Sequence, residues 1–152
     1  KTKPMRVPES KVLEVLKLFN NDDPSFCLPL YSSSVSAGFP SPGDDHIEET
    51  LDLNNHLIHK PAATFFVRAS GDSMIKAGIH DGDILIVDRS ISPTNKKIVI
   101  AAVDGMLTVK RIFFIANETW LYPENDSYKP LLLKDLQDVV IWGVVTNVIH
   151  KV

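Results

Sequence analysis

The sequence predicts a mainly β fold of bent antiparallel sheets, and three observations carry that expectation. Short runs rich in Val, Ile, Phe and Tyr recur through the later part of the chain, bounded by Gly, Pro, Asn or Asp. Asp104-Gly105 stands between two such runs, and an Asp-Gly pair is a strong hairpin signal because both turn positions need positive φ. Convincing helical periodicity is scarce, and no internal repeat is seen.

In chain order, residues 11–19 follow Pro8-Glu9-Ser10 and form a short amphipathic candidate helix, which residues 20–24 end. Residues 34–45 are rich in Ser, Gly, Pro and Asp. Residues 48–57, with Asp52 and Asn54, predict one or two helical turns. Strands are expected at 64–68, 83–88, 97–103, 106–115, 119–122 and 139–149. Between the first two, Asp72 is a candidate N-cap for a short helix over 73–77, closed by Gly78. Alternation places Met106, Thr108, Lys110 and Ile112 on one strand face. The strand at 139–149 carries Trp142 and more apolar residues than one half-buried face needs, so it reads either as a central strand covered on both sides or as a partner surface.

Ser73, in Ser70-Gly71-Asp72-Ser73-Met74, and Lys110, in Leu107-Thr108-Val109-Lys110-Arg111, are the candidate catalytic pair. A serine hydroxyl is a poor nucleophile until a neighbour takes its proton, and a lysine does so only when burial holds it neutral. The apolar Met106 and Ile112 beside Lys110 supply that setting. Backbone N–H groups around Ser73, free at a helix start, would hold an oxyanion. The plainer readings are a turn or cap serine and an outward-facing strand lysine. Residues 34–45 alone read as a linker, but beside a Ser-Lys pair they become a tethered substrate. There Ala37 offers a small side chain, Gly38 lets the backbone bend, and Pro40 and Pro42 favour an extended course.

At 152 residues and 44% hydrophobic content, the chain is long enough for one domain plus an arm. A formal net charge of −3 argues against this portion gripping nucleic acid through phosphates. No apolar run suits a membrane span and no secretory leader pattern is seen, which disfavours the membrane-anchored signal peptidases that also use Ser and Lys. Cys27 is the only cysteine, so internal disulfides are excluded, a cytoplasmic setting is expected, and Phe26 and Leu28 beside it suggest a structural thiol. His46, His56, His59, His80 and His150 contain no metal-binding spacing, so neither a metal nor a cofactor is assigned. Asn117-Glu118-Thr119 matches a glycosylation sequon that has no meaning in that setting.

Five segments together raise the catalytic reading. Ala37-Gly38-Phe39-Pro40-Ser41-Pro42, Ser70-Gly71-Asp72-Ser73-Met74, Asp81-Gly82-Asp83-Ile84-Leu85-Ile86-Val87-Asp88, residues 98–105 and Thr108-Val109-Lys110 resemble, in that order, the UmuD and LexA family of self-cleaving Ser-Lys proteases. The resemblance covers residues 37–149. It implies Ser73 as nucleophile, Lys110 as general base, the N–H groups of Ser73 and Asp72 as oxyanion donors, and Ala37-Gly38 as the scissile bond. It also implies an arm over 1–36, a cleavage segment over 37–45 and a protease domain over 46–152. The partners implied are a second copy in a homodimer built partly on the C-terminal region, a RecA filament on single-stranded DNA that stimulates cleavage, and a translesion DNA polymerase subunit. Two departures stand out: Ala-Gly replaces the Cys-Gly of UmuD itself, and the chain begins at Lys1 with a longer arm, as a fragment would. Room therefore remains for a LexA-type repressor with a DNA-binding head upstream. A non-catalytic β module that only binds partners is the reading from another class.

Overall fold

The computed structural model describes residues 26–35, 46–133 and 138–152. Ala37, Gly38 and the candidate helix at 11–19 lie outside the described residues. The chain divides into two compact units, Lys1–His56 and Leu57–Val152.

In the first unit, β1 (Cys27–Tyr31) pairs antiparallel with β2 (Ile47–Asp52), Leu28 opposite Leu51. β2 replaces the first part of the helix expected over 48–57; only Leu53–Leu57 is helical, as α1. The helix starts late because the Asp52 carboxylate accepts the Asn54 N–H at 2.8 Å, an Asx turn that breaks the strand there. Pairing with β1 also groups residues 46–56 with the preceding segment, so the unit boundary falls later than position 46. Alternation along the hairpin aligns Leu28 and Leu30, which with Leu51 and Leu53 line a cavity of about 380 Å³.

The second unit is built on a seven-stranded antiparallel sheet. Its strands are β3 (Thr64–Arg68), β4 (Ile84–Asp88), β5 (Ile98–Val103), β6 (Met106–Ile115), β7 (Glu118–Tyr122), β8 (Leu131–Leu132) and β9 (Val139–Ile149). Their order in the sheet is β3-β4-β9-β5-β6-β7-β8. The fold is mainly β, as the sequence predicts. β5 and β6 form the expected hairpin, with Asp104 at φ 49° and Gly105 at φ 78°. Asn117 of the sequon turns β6 into β7 at φ 65°, a left-handed position that asparagine tolerates well.

The core has two faces because β4 and β5 carry unbroken apolar runs. Leu85, Val87 and Ile100 pack with Ala69, Met74 and Ile79 on one side. Val99 and Ala101, displaced by one residue, pack with Ile112, Leu121 and Val144 on the other. β9 bonds to β4 on one edge and β5 on the other. At Gly143 the strands approach so closely that a Cβ would lie 2.8 Å from Val87 Cγ1 and 2.9 Å from the Asp88 carbonyl. β9 is thus central by hydrogen bonding, yet Val140, Trp142, Val148 and Ile149 remain exposed. No helix among the described residues is long and apolar enough to cross a membrane.

Candidate active site

The segment that carries Ser73 is tied at both ends by short-range backbone chemistry. Gly71 adopts φ 81°, a region open to glycine at little cost, and its N–H donates to Asp81 Oδ1 at 2.7 Å. The neighbouring Ala69 N–H donates to the Asp83 carbonyl at 2.8 Å, and its carbonyl accepts from Gly82 N–H at 3.0 Å. On the other side Met74 is fully buried and anchors the backbone next to Ser73. The expected helix over 73–77 is a single 3-10 turn, Ile75–Ala77, closed by Gly78 at φ 75°.

Asp72 is not the N-cap of that turn; Met74 holds the position, with no side-chain capping bond. The Asp72 carboxylate is drawn elsewhere, accepting Tyr128 Oη–H at 2.6 Å and Asn125 Nδ2–H at 3.2 Å. This charged acceptor holds the Tyr128 phenol above its usual pKa. Asn125 Nδ2 also donates to the Asp72 carbonyl at 3.0 Å, as does the Ile75 N–H at 3.1 Å. In a trans peptide the N–H points opposite to the C=O, so these two bonds fix the direction of the Ser73 N–H. No hydrogen bond among the described residues takes the N–H of Asp72 or Ser73. The Ser73 carbonyl accepts the Glu124 N–H at 2.8 Å, and the Glu124 carbonyl accepts the Lys76 N–H at 2.9 Å. Arg111 in turn donates its Nε–H to the Glu124 carboxylate.

Lys110 projects from the middle of β6, on the face that alternation assigns to it, and is 8% exposed. Its Nζ lies 2.9 Å from Ser73 Oγ, 3.0 Å from Thr108 Oγ1 and 2.9 Å from the Val109 carbonyl. All three partners are neutral. Burial without a compensating anion pushes its pKa below the ordinary lysine value. Nζ donates to all three oxygens; as a neutral amine it would keep two N–H donors for Val109 O and Thr108 Oγ1 and turn its lone pair toward the Ser73 hydroxyl. Beside the pair lies a cavity of about 150 Å³, with Val67, Leu85, Ile100 and Val109 among its walls. Its lining is mixed, since Arg68, Ser70 and Thr108 also border it, and it is of a size to take a short side chain next to the Ser73 hydroxyl.

The structure therefore brings Ser73, Asp72 and Lys110 together, whereas Ala37 and Gly38 lie outside the described residues. Sequence reasoning missed Asn125, Tyr128 and Glu124, whose only local signal is the turn-rich composition of residues 122–128. Cys27, expected as a structural thiol, is exposed on β1. Three groups that the sequence leaves unconnected, His80, Asp83 and His150, also converge.

The sequence matches the Peptidase S24-like family over residues 29–146. Protein ImpA of Salmonella typhimurium is 47% identical over 129 residues, 85% of this chain and 88% of that protein. Protein SamA of Salmonella typhimurium strain LT2 is 50% identical over 123 residues, 81% of this chain and 85% of that protein. LexA repressor 1 of Geobacter sulfurreducens is 34% identical over 134 residues, 88% of this chain but 65% of the repressor.

Proposed function

This chain belongs to the Peptidase S24-like family, and from that premise we propose that it is a serine peptidase that cuts its own Ala37-Gly38 bond with Ser73 as nucleophile and Lys110 as base. The observation that carries the reading is the 2.9 Å contact between Lys110 Nζ and Ser73 Oγ in a setting without a counter-charge. The arm brings Ala37-Gly38 across Ser73, with the Ala37 methyl in the small cavity. Neutral Lys110 takes the hydroxyl proton as Oγ bonds to the Ala37 carbonyl carbon. The oxyanion accepts hydrogen bonds from the N–H groups of Ser73 and Asp72. The Ala37-Gly38 C–N bond then breaks, and the Lys110 ammonium returns its proton to the Gly38 amine. Water, deprotonated by the same lysine, hydrolyses the ester and leaves fragments 1–37 and 38–152.

A tethered bond reacts without a bimolecular encounter, so control lies in conformation. A RecA filament on single-stranded DNA is the partner proposed to favour the cleavable state, which places the protein in the DNA-damage response. The chain spans most of ImpA and SamA, which supports an UmuD-like precursor whose product joins a translesion polymerase. The similarity to a LexA repressor supports a second reading, a repressor's self-cleaving domain. A helix-turn-helix encoded before Lys1 would favour it.

The test is cleavage of the purified chain with and without RecA, single-stranded DNA and a nucleotide. N-terminal sequencing of the large product is expected to read Gly-Phe-Pro-Ser-Pro. Ser73→Ala and Lys110→Ala are each expected to slow its appearance at least about 1,000-fold with the fold unchanged. A Ser73→Ala chain that cleaves at the parental rate overturns the proposal.

A further inference from the structure

We propose that His80, Asp83 and His150 form a binding site for one divalent transition-metal ion of the zinc class. The three come from two places: His80 and Asp83 from the turn that leads into β4, and His150 from the residue after β9. Asp83 is 3% exposed, a carboxylate buried at the edge of the core. Its two oxygens face two imidazoles, with Oδ1 at 2.7 Å from His150 Nδ1 and Oδ2 at 3.7 Å from His80 Nδ1. The His80 backbone N–H also donates to Oδ2 at 2.8 Å and fixes the carboxylate plane. That bond and the contact with His150 hold the carboxylate between the two rings.

The candidate ligand atoms lie within 4.8 Å of one another. Zinc bonded to nitrogen and oxygen at about 2.0–2.1 Å in a tetrahedron needs neighbouring ligand atoms about 3.3 Å apart. The 2.7 and 3.7 Å run to different oxygens of Asp83 and the three ligand atoms lie within 4.8 Å of one another, so the rings and the carboxylate must turn to draw one set of atoms to that spacing. The chemistry of the set fits as well. Two imidazoles and one carboxylate suit zinc, cobalt or nickel, whereas calcium and magnesium prefer oxygen ligands throughout. Both rings are about half exposed, with side chains at 45% and 47%, which gives an ion access and leaves a position for water. A bound ion would join the end of β9 to the turn whose Asp81 carboxylate and Asp83 carbonyl hold the backbone just before Ser73.

The experiment uses the full Ser73→Ala chain, so that the sample stays intact whatever the protease does. Zinc is titrated in competition with a chromogenic chelator, and melting is followed with and without the ion. One zinc per chain and a raised melting temperature are expected. His80→Ala and His150→Ala, both at accessible positions, are each expected to weaken binding at least tenfold, while His46→Ala and His59→Ala leave it unchanged. Cobalt substituted for zinc is expected to give d–d bands without a thiolate charge-transfer band. Absence of binding, undiminished one-to-one binding in the His80→Ala/His150→Ala double variant, or a thiolate band that points to Cys27 would each overturn the site.

Discussion

Lys110 is buried without an anion, so its protonation state links reactivity and stability. Its folded pKa lies below the ordinary value of 10.5, so the unfolded chain binds the proton more tightly than the folded one. Stability at this position therefore rises with pH between the folded pKa and 10.5. Lys110→Met, which retains length and removes the amine, is expected to melt higher than the parent at neutral pH, with the gap narrowing toward strongly alkaline buffer. Paired melting curves from pH 7 upward check this. The spontaneous cleavage rate of the parent is expected to climb with pH up to the folded pKa and to level off above it, because only the neutral amine accepts the Ser73 proton. A rate already flat above pH 7 removes Lys110 from the role of base. The side of β6 that Lys110 occupies was legible, since alternation needs only neighbours in sequence. Tyr128 was not, because its bond to Asp72 spans 56 positions and leaves no periodic trace.

Among the elements, the loop at 124–128 acts on the nucleophile segment through backbone groups. Asn125→Ala removes one of two donors that fix the Asp72 carbonyl, so the direction of the Ser73 N–H loosens. Cleavage is expected to fall about 10- to 100-fold. Circular dichroism and the pH at half-maximal rate are expected to hold, which separates a loss of positioning from a loss of fold or base. Gly143→Ala is a different kind of change. Its Cβ meets Val87 and the Asp88 backbone, so a destabilisation of about 1–3 kcal/mol is expected, read by denaturant titration. Six of the seven strands of the second unit were legible because β-branched runs and turn residues mark them locally, whereas the two-residue β8 was not expected. β1 was hidden by Pro29, which removes a ladder donor and is tolerated here in a two-stranded pair. β2 was hidden by its Glu residues and by the Asx turn that starts α1.

At the scale of the molecule, β9 takes the central place in the sheet that one of its two readings expected, but it is covered on both sides only at its middle. Gly143 and Val144 are buried at the centre of the sheet, while Val140 and Trp142 remain open to solvent. Trp142 packs edge-on against Phe65, and the Arg89 guanidinium lies over both rings, so the exposed surface is ordered before any partner arrives. If this face joins two copies, Val140→Lys with Trp142→Arg is expected to convert a dimer into a monomer, measured by light scattering. An unchanged mass would move the interface elsewhere. The sequence supplied the strand and its apolar excess. It did not supply the strand's place, because order across a sheet is set by long-range pairing.

That place has a consequence for the growing chain on the ribosome. Ser73 follows β3 and precedes β4, Lys110 belongs to β6, and the strand that joins β4 to β5 is β9, which is translated after all of them. While the ribosome still holds residues 139–149, the two halves of the sheet lack the seam between them, and the amine is set against the hydroxyl only through the contacts of residues 124–128 with the Ser73 segment. If the chain cuts itself as proposed, this strand order is expected to delay activity until its central strand is inserted. Ribosome-stalled chains truncated before position 139 are therefore expected to stay whole at an alkaline pH at which the finished protein is expected to cleave. Cutting in those stalled chains would show that the dyad assembles without its seam.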